Sequence, residues 1–255
     1  MQPSSGYNPA LAFALLLVGP PLTGKTNAAF TFPKPYVFDA DDKMQNAIQR
    51  NPGKQFWYDR AYVDEKGLVV PANQRWNHAI KCLDTAMKSP DVETIIIDSL
   101  TQMNIFLVDH ILATGASKLV VAGEKVMDLQ CWQPFQILMT RLIMTLKSSG
   151  KLVVMTCHEE TEKDDVTGMY KTNPLIQGAL KHKLAGMFTD VWHTETKAEF
   201  KDGKSITKYF VRTQPTARMA FGSSLGLPAE FTLTWEELEK VMPKGKQQTT
   251  TTVTT

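Results

Sequence analysis

The sequence predicts an α/β fold of three layers, with a mainly parallel sheet between two layers of helices. Three observations predict it. Gly19-Pro20-Pro21-Leu22-Thr23-Gly24-Lys25-Thr26 fits the phosphate-binding pattern G-x-x-x-x-G-K-[ST], between an apolar run (Leu11 to Val18) and a helix-compatible stretch (Lys25 to Phe30). Two more apolar runs, Val92 to Ser99 and Lys151 to His158, are continuous rather than alternating, as strands buried on both faces are, and both end in polar residues. After residue 188 alternation replaces helical period, which adds antiparallel strands to the parallel core.

Taken in order, Leu11 to Val18 is the first strand and the loop follows it. Gly19 and Gly24 let the backbone turn so that successive N–H groups face phosphate oxygens, with Pro20, Pro21, Leu22 and Thr23 completing the cradle. Lys25 would reach the β- and γ-phosphates, and the Thr26 hydroxyl would ligate Mg²⁺. The helix after it is short, cut at Pro33 and Pro35. Tyr36 to Asp42 then reads as a strand running into an acidic turn, at the sheet edge where open α/β folds bind ligands. Asp41 or Asp42 there would orient or activate an attacking water; the alternative is a solvated turn capping a Met44 to Gln49 helix.

Residues 51 to 72 read as an irregular connection or a hairpin and carry no function. Trp76, Ile80, Leu83 and Met87 recur at helical spacing within Asn73 to Lys88, a crossover helix. The Val92 to Ser99 strand puts Asp98 at its C-terminal end, where such an aspartate holds Mg²⁺. Ser99 either shares those waters or caps a Leu100 to Leu112 helix. Met127, Trp132, Phe135, Met139, Leu142 and Leu146 form a stripe that reads as core rather than as a cofactor box, and Gly150 closes that helix. The strand that follows brings Thr156 and His158 to the edge shared by Lys25 and Asp98. His158-Glu159-Glu160-Thr161-Glu162 is not a zinc-protease motif, and no second histidine lies at ligand spacing.

Glu159 to Lys171 reads as an exposed hairpin or loop, and Pro174 to Met187 as a short helix carrying Lys181, His182 and Lys183. Phe188 to Thr194, Thr196 to Phe200 and Ser205 to Thr213 read as three strands, the last two joined at Asp202-Gly203. Thr234 with Glu237 three residues on is a capping box for a final helix ending at Pro243. Residues 1–242 are expected to form one domain, and 243–255 a disordered Thr-rich tail.

Composition narrows the class little further. The chain has 255 residues, 43% of them hydrophobic, enough for a sizeable core. Its apolar start is too short to span a bilayer, so no membrane association is expected, and Met1 to Asn8 lacks the basic opening of a secretory signal. Cys82, Cys131 and Cys157 lie in separate segments and make no disulfide framework, which points to a reducing compartment. A net charge of +2 neither requires nor excludes nucleic acid.

The loop, the short helix, F-P-K-P (Phe32 to Pro35), D-A-D (Asp39 to Asp41), I-I-I-D-S (Ile95 to Ser99), V-V-M-T-C-H-E (Val153 to Glu159) and V-R-T-Q-P-T-A-R (Val211 to Arg218) follow in this order. In that order the chain resembles the RecA-like P-loop ATPases of bacteriophages, in particular the single-strand annealing and recombination group with a trimmed RecA core. The resemblance spans residues 11 to 242. It implies a RecA-like fold, ATP and Mg²⁺ as cofactors, and ATP hydrolysis serving single-stranded DNA in recombination, annealing or repair. It also implies the host cell cytoplasm as location.

By position Lys25 and Thr26 match the phosphate and Mg²⁺ residues, Asp98 the Walker B acid and His158 the polar sensor. Asp41 stands, one methylene shorter, where these proteins usually carry a catalytic glutamate. A homo-oligomer is expected, with Arg218, or else Arg212, completing the active site of a neighbouring copy. A phage single-strand-binding or annealing protein is a further expected partner. Single-stranded DNA is expected along Glu159 to Lys183, with Lys171, Lys181 and Lys183 on its backbone and Tyr170 under a base. Two other readings are a motor or remodelling ATPase subunit, and a nucleotide-gated binding module with negligible turnover.

Overall fold

The computed structural model describes residues 13–163, 165, 168–201, 203–219 and 221–242; the expected tail, Pro243 and Asp202 lie outside them. Strands β1 (Ala14–Val18), β2 (Pro35–Asp39), β3 (Trp57–Arg60), β4 (Thr94–Asp98), β5 (Val120–Val121), β6 (Glu124–Lys125), β7 (Leu152–Cys157), β8 (Glu159–Lys163), β9 (Tyr170–Pro174), β10 (Asp190–Lys201), β11 (Lys204–Arg212) and β12 (Glu230–Phe231) alternate with six α-helices. The helices are α1 (Lys25–Ala29), α2 (Met44–Arg50), α3 (Arg75–Lys88), α4 (Leu100–Ala113), α5 (Trp132–Lys147) and α6 (Trp235–Val241).

Eight strands make the main sheet in the order β12-β11-β10-β1-β7-β4-β2-β3. From β10 to β3 every neighbour is parallel, and β11 and β12 add antiparallel strands at one edge. The predicted class, a mainly parallel sheet extended by antiparallel strands, is the fold observed.

Alternate residues of the central strands feed two separate apolar clusters. Ala14, Leu16 and Val18 pack with Phe106 of α4 and Phe135 of α5 and with the inner face of α3. Phe13, Leu15 and Leu17 pack with Phe30 beside α1, Ala47 of α2 and Leu238 of α6. Burial on both faces is why β1, β4 and β7 read as unbroken apolar runs in the sequence.

Four local expectations need correction. α3 buries Trp76, Ala79, Leu83 and Ala86, while Ile80 points out at 37% exposure; small residues let the helix lie close to the sheet. Residues 51 to 72 contribute β3, a parallel edge strand on β2, before the Val63–Val69 bridge closes a small hairpin. Pro174 to Met187 forms two 3₁₀ turns, Gly178–His182 and Leu184–Met187, instead of one helix. Gly178 has φ +69°, and a Cβ there would sit 2.8 Å from the Trp132 ring, so this backbone suits glycine and departs from a regular helix. Finally, Phe188 to Thr194 and Thr196 to Phe200 are one strand, β10, because Glu195 keeps its place in the ladder opposite Phe210.

The hairpin reading of Glu159 to Lys171 holds: β8 and β9 pair antiparallel from Glu159–Pro174 to Lys163–Tyr170. Thr234 caps α6 as expected, accepting from the Glu237 N–H at 3.3 Å.

Candidate active site

Parallel pairing brings four strand ends to one edge. Val18 lies beside Cys157, Asp39 beside Asp98, and the turns after them carry the polar residues. The loop from Gly19 to Gly24 leaves β1 at this edge, with the Gly19 N–H held by the Cys157 carbonyl at 3.2 Å. Gly24 has φ +86°, the left-handed conformation expected of it, and Leu22 shares that region at φ +66° with its side chain in solvent. Gly19 is needed for another reason: a Cβ there would lie 2.2 Å from Thr194 Oγ1 and 2.8 Å from its carbonyl. Only glycine lets the loop pass β10 this closely. Thr23 completes the brace, donating to the Pro20 carbonyl at 2.8 Å and pairing with Thr194 Oγ1 at 2.6 Å.

Lys25 is 7% exposed and folds back over the loop, its Nζ donating to the carbonyls of Gly19 at 2.7 Å and Pro20 at 2.6 Å. Burial lowers its pKa, against the opposing pull of Asp98. The ammonium is thus held at the mouth of the loop, where a phosphate oxygen would be a stronger partner than a carbonyl.

Thr26 Oγ1 donates to Asp98 Oδ2 at 2.7 Å, and the buried Thr156 hydroxyl donates to Asp98 Oδ1. Burial raises the Asp98 pKa; the two hydroxyls oppose that rise, and the charge of Asp41 adds to it. Asp41 behaves differently. Burial works against its ionisation too, but hydrogen bonds from His158 and Ser99 outweigh burial and hold its carboxyl below the usual range. Ser99 Oγ donates to Asp41 Oδ1 at 2.7 Å, while His158 Nε2 lies 3.5 Å from Oδ2. Ser99 also caps α4 by accepting from the Gln102 N–H, the capping role expected of it. His158 Nδ1 is buried without a hydrogen-bond partner among the described residues. The peptide bond between Asp98 and Ser99 is cis.

Asp39 is a support and not a reacting group: only 1% exposed, it accepts from the N–H groups of Lys43 and Met44 and so starts α2. Asp42 pairs with Arg60 at 2.6 Å and does not line the cleft, whereas Asp41 does.

Lys25, Thr26, Asp41, Asp98, Thr156 and His158 line one cleft of about 370 Å³. Thr26 and Asp98 offer two hard oxygen donors in contact with each other, the chemistry Mg²⁺ prefers, so the residues present fit that ion.

The other predicted residues lie elsewhere. Arg218 is exposed and outside the cleft lining, its carbonyl taking the Thr172 N–H at 2.9 Å so that its segment lies beside β9. Arg212, the alternative, is committed to Glu195 through two contacts of 2.7 and 2.9 Å. Tyr170, Lys171 and Lys183 are exposed, and Lys181 is half-buried. Its Nζ binds Glu160 at 3.1 Å and Glu162 at 2.5 Å, so it neutralises the acids of its own hairpin.

Sequence reasoning missed Thr194, whose contact with Thr23 joins residues 171 apart, and the His193 bridge from Glu159 to Glu195. Neither pattern leaves a local signal.

No curated protein matches the sequence. Among solved structures, the flagellar accessory protein FlaH from Methanocaldococcus jannaschii is similar at 12% identity, over 79% of this chain and 77% of that one, with a TM-score of 0.38. The family described as AAA domain matches residues 12–222. With most of its length so matched, and with the phosphate loop, Thr26 and Asp98 assembled at one sheet edge, this chain belongs to the AAA domain family.

Proposed function

We propose that the chain binds ATP with Mg²⁺ and hydrolyses it, and that it does so in the service of single-stranded DNA. One observation carries the first part: the Thr26 hydroxyl of the loop meets the Asp98 carboxylate 72 residues away, with Lys25 and Asp41 lining the same cleft. Lys25 binds β- and γ-phosphate oxygens, giving up its carbonyl partners. Thr26 and Asp98 would hold the metal, which would supply charge neutralisation to the phosphates.

Asp41 is ionised at neutral pH and positioned by Ser99 and His158, so it accepts a hydrogen bond from the water that attacks the γ-phosphorus. The new P–O bond forms as the bond to the β–γ bridging oxygen breaks, and the water proton passes through Asp41 to the released phosphate, giving ADP and phosphate. Thr156 holds Asp98 and stays out of the exchange. Lys25→Ala should weaken binding of ATP and of ADP about a hundredfold or more, since charge-assisted bonds to phosphate are lost. Calorimetry that finds both affinities retained would sink the phosphate-site reading.

The DNA reading is supported by the hairpin β8–β9, which leaves the sheet directly after His158, a residue of the cleft. It presents Tyr170 at 52% exposure beside Met169, with Lys171 and Lys183 also on the surface. On this reading the partners are further copies of the chain and a phage single-strand-binding or annealing protein. Lys171→Ala with Lys183→Ala should flatten the salt dependence of single-strand binding by about one to two charges, while Lys181→Ala should not. An unchanged slope in the double variant, measured by fluorescence anisotropy, would place DNA elsewhere.

A further inference from the structure

A second cavity, of about 630 Å³, lies against the phosphate cleft and shares Gly24, Asn27 and Arg50 with it. It runs between the exposed side of α1 and β11, and Tyr209 and Leu233 are among its lining residues. Asp41, Ser99 and His158 line the first cleft but not the second. The two spaces therefore join at the end of the phosphate cleft that lacks the γ-phosphate residues. A nucleoside triphosphate whose γ-phosphate lies by Asp41 and Asp98 must send its nucleoside out at the other end.

We propose that this second cavity takes the base and ribose, with the Tyr209 ring as the stacking platform and Arg50 at the passage between nucleoside and α-phosphate. The inference rests on reading the first cleft as a triphosphate site. Tyr209 is 46% exposed, and its Cδ1 lies 3.0 Å from where a Cβ on Gly24 would sit. The absence of a side chain on Gly24 is what lets the ring reach the loop. Arg50 is the exposed last residue of α2 and lines both spaces.

Other polar groups around the cavity are already engaged. Thr31 donates to the Ala28 carbonyl and accepts the Trp235 N–H, Asn51 donates to the Ala47 carbonyl, and the Thr234 hydroxyl caps α6. Lys208 pairs with Glu199 at 3.4 Å, and the Asn27 amide and the Thr232 hydroxyl also line the space as groups that can read a base edge. An aromatic face, an apolar floor at Leu233 and a few placed polar groups are what a nucleoside pocket needs.

The test compares the chain's affinity for Mg²⁺–ATP and for Mg²⁺–tripolyphosphate, which has the phosphates and no nucleoside. Tyr209→Ala should weaken ATP about 10- to 100-fold, the range of one lost base–aromatic stack, and leave tripolyphosphate unchanged. Tyr209→Trp should retain ATP affinity and show indole fluorescence quenched by ATP but not by tripolyphosphate. Arg50→Ala should weaken ATP more than tripolyphosphate. Equal losses for both ligands in Tyr209→Ala, or no loss at all, would overturn the stacking role. A parent chain that binds tripolyphosphate as tightly as ATP overturns the nucleoside site alone, whereas one that binds neither overturns the triphosphate reading with it.

Discussion

Asp98 is pulled in two directions by its surroundings. To hold Mg²⁺ with Thr26 it would have to be a carboxylate, yet burial and the nearby charge of Asp41 raise its pKa. A carboxyl raised above its unfolded value adds stability that is complete below about pH 4, the unfolded carboxylate range, and is lost as pH rises through the folded value. At pH 7 the ionised form is therefore a cost to folding, and Asp98→Asn removes it while the hydroxyls of Thr26 and Thr156 can reorient. We expect the midpoint of thermal unfolding to rise at pH 7 and the gain to vanish near pH 4. The same variant should lose hydrolysis by about a hundredfold or more, because metal-borne charge stabilisation is worth several kcal/mol. Scanning calorimetry and phosphate release check the two halves, and a stable, fully active variant would make Asp98 a mere strand end. Asp41 is the opposite case. Its lowered pKa keeps it charged from neutrality down past the ordinary carboxylate range, so no acid limb above about pH 4 should trace to it.

The elements around the site are short, and their ends matter more than their lengths. α1 has five residues and α6 seven, and the two are tied where the Trp235 N–H donates to Thr31 Oγ1 at 2.8 Å. Leu238 is fully buried on that face, so the small helix fixes α1 and with it the loop. Thr234→Ala should cost about 1 kcal/mol, lowering the urea midpoint with an unchanged slope. A midpoint that does not move would mean that the cap bond at 3.3 Å contributes nothing. The hairpin β8–β9 is anchored at its base, where the Leu175 N–H donates to the His158 carbonyl and Glu159 meets His193. From there Glu195 and Arg212 extend the chain of contacts into β11. A shift at His158 would thus be felt both in the exposed hairpin and in the edge of the main sheet.

At the scale of the molecule, the cleft opens at the C-terminal edge of the parallel strands and still lacks a cation of its own from Arg218. If a neighbouring copy supplies that arginine, a mixture of Lys25→Ala and Arg218→Ala chains should regain phosphate release that neither shows alone, toward about a quarter of the parent rate for random pairing at one shared interface. A fully active Arg218→Ala chain would end the proposal of a shared site. Much of this architecture was legible in the amino-acid order. Continuous apolar runs announced buried parallel strands, glycine spacing announced the loop, and polar residues closing each run put Asp98, Thr156 and His158 on one edge, because side-chain burial and backbone sterics act over a few residues. Only the folded chain decided the rest. It paired Asp42 with Arg60 and put Asp41 in the cleft, joined Lys181 to Glu160 and Glu162, made Gly19 a matter of clearance from Thr194, and set Tyr209 against Gly24. Each of these depends on strands far apart in sequence being laid side by side, and side-chain pairings across such distances follow from tertiary packing, which no local pattern encodes.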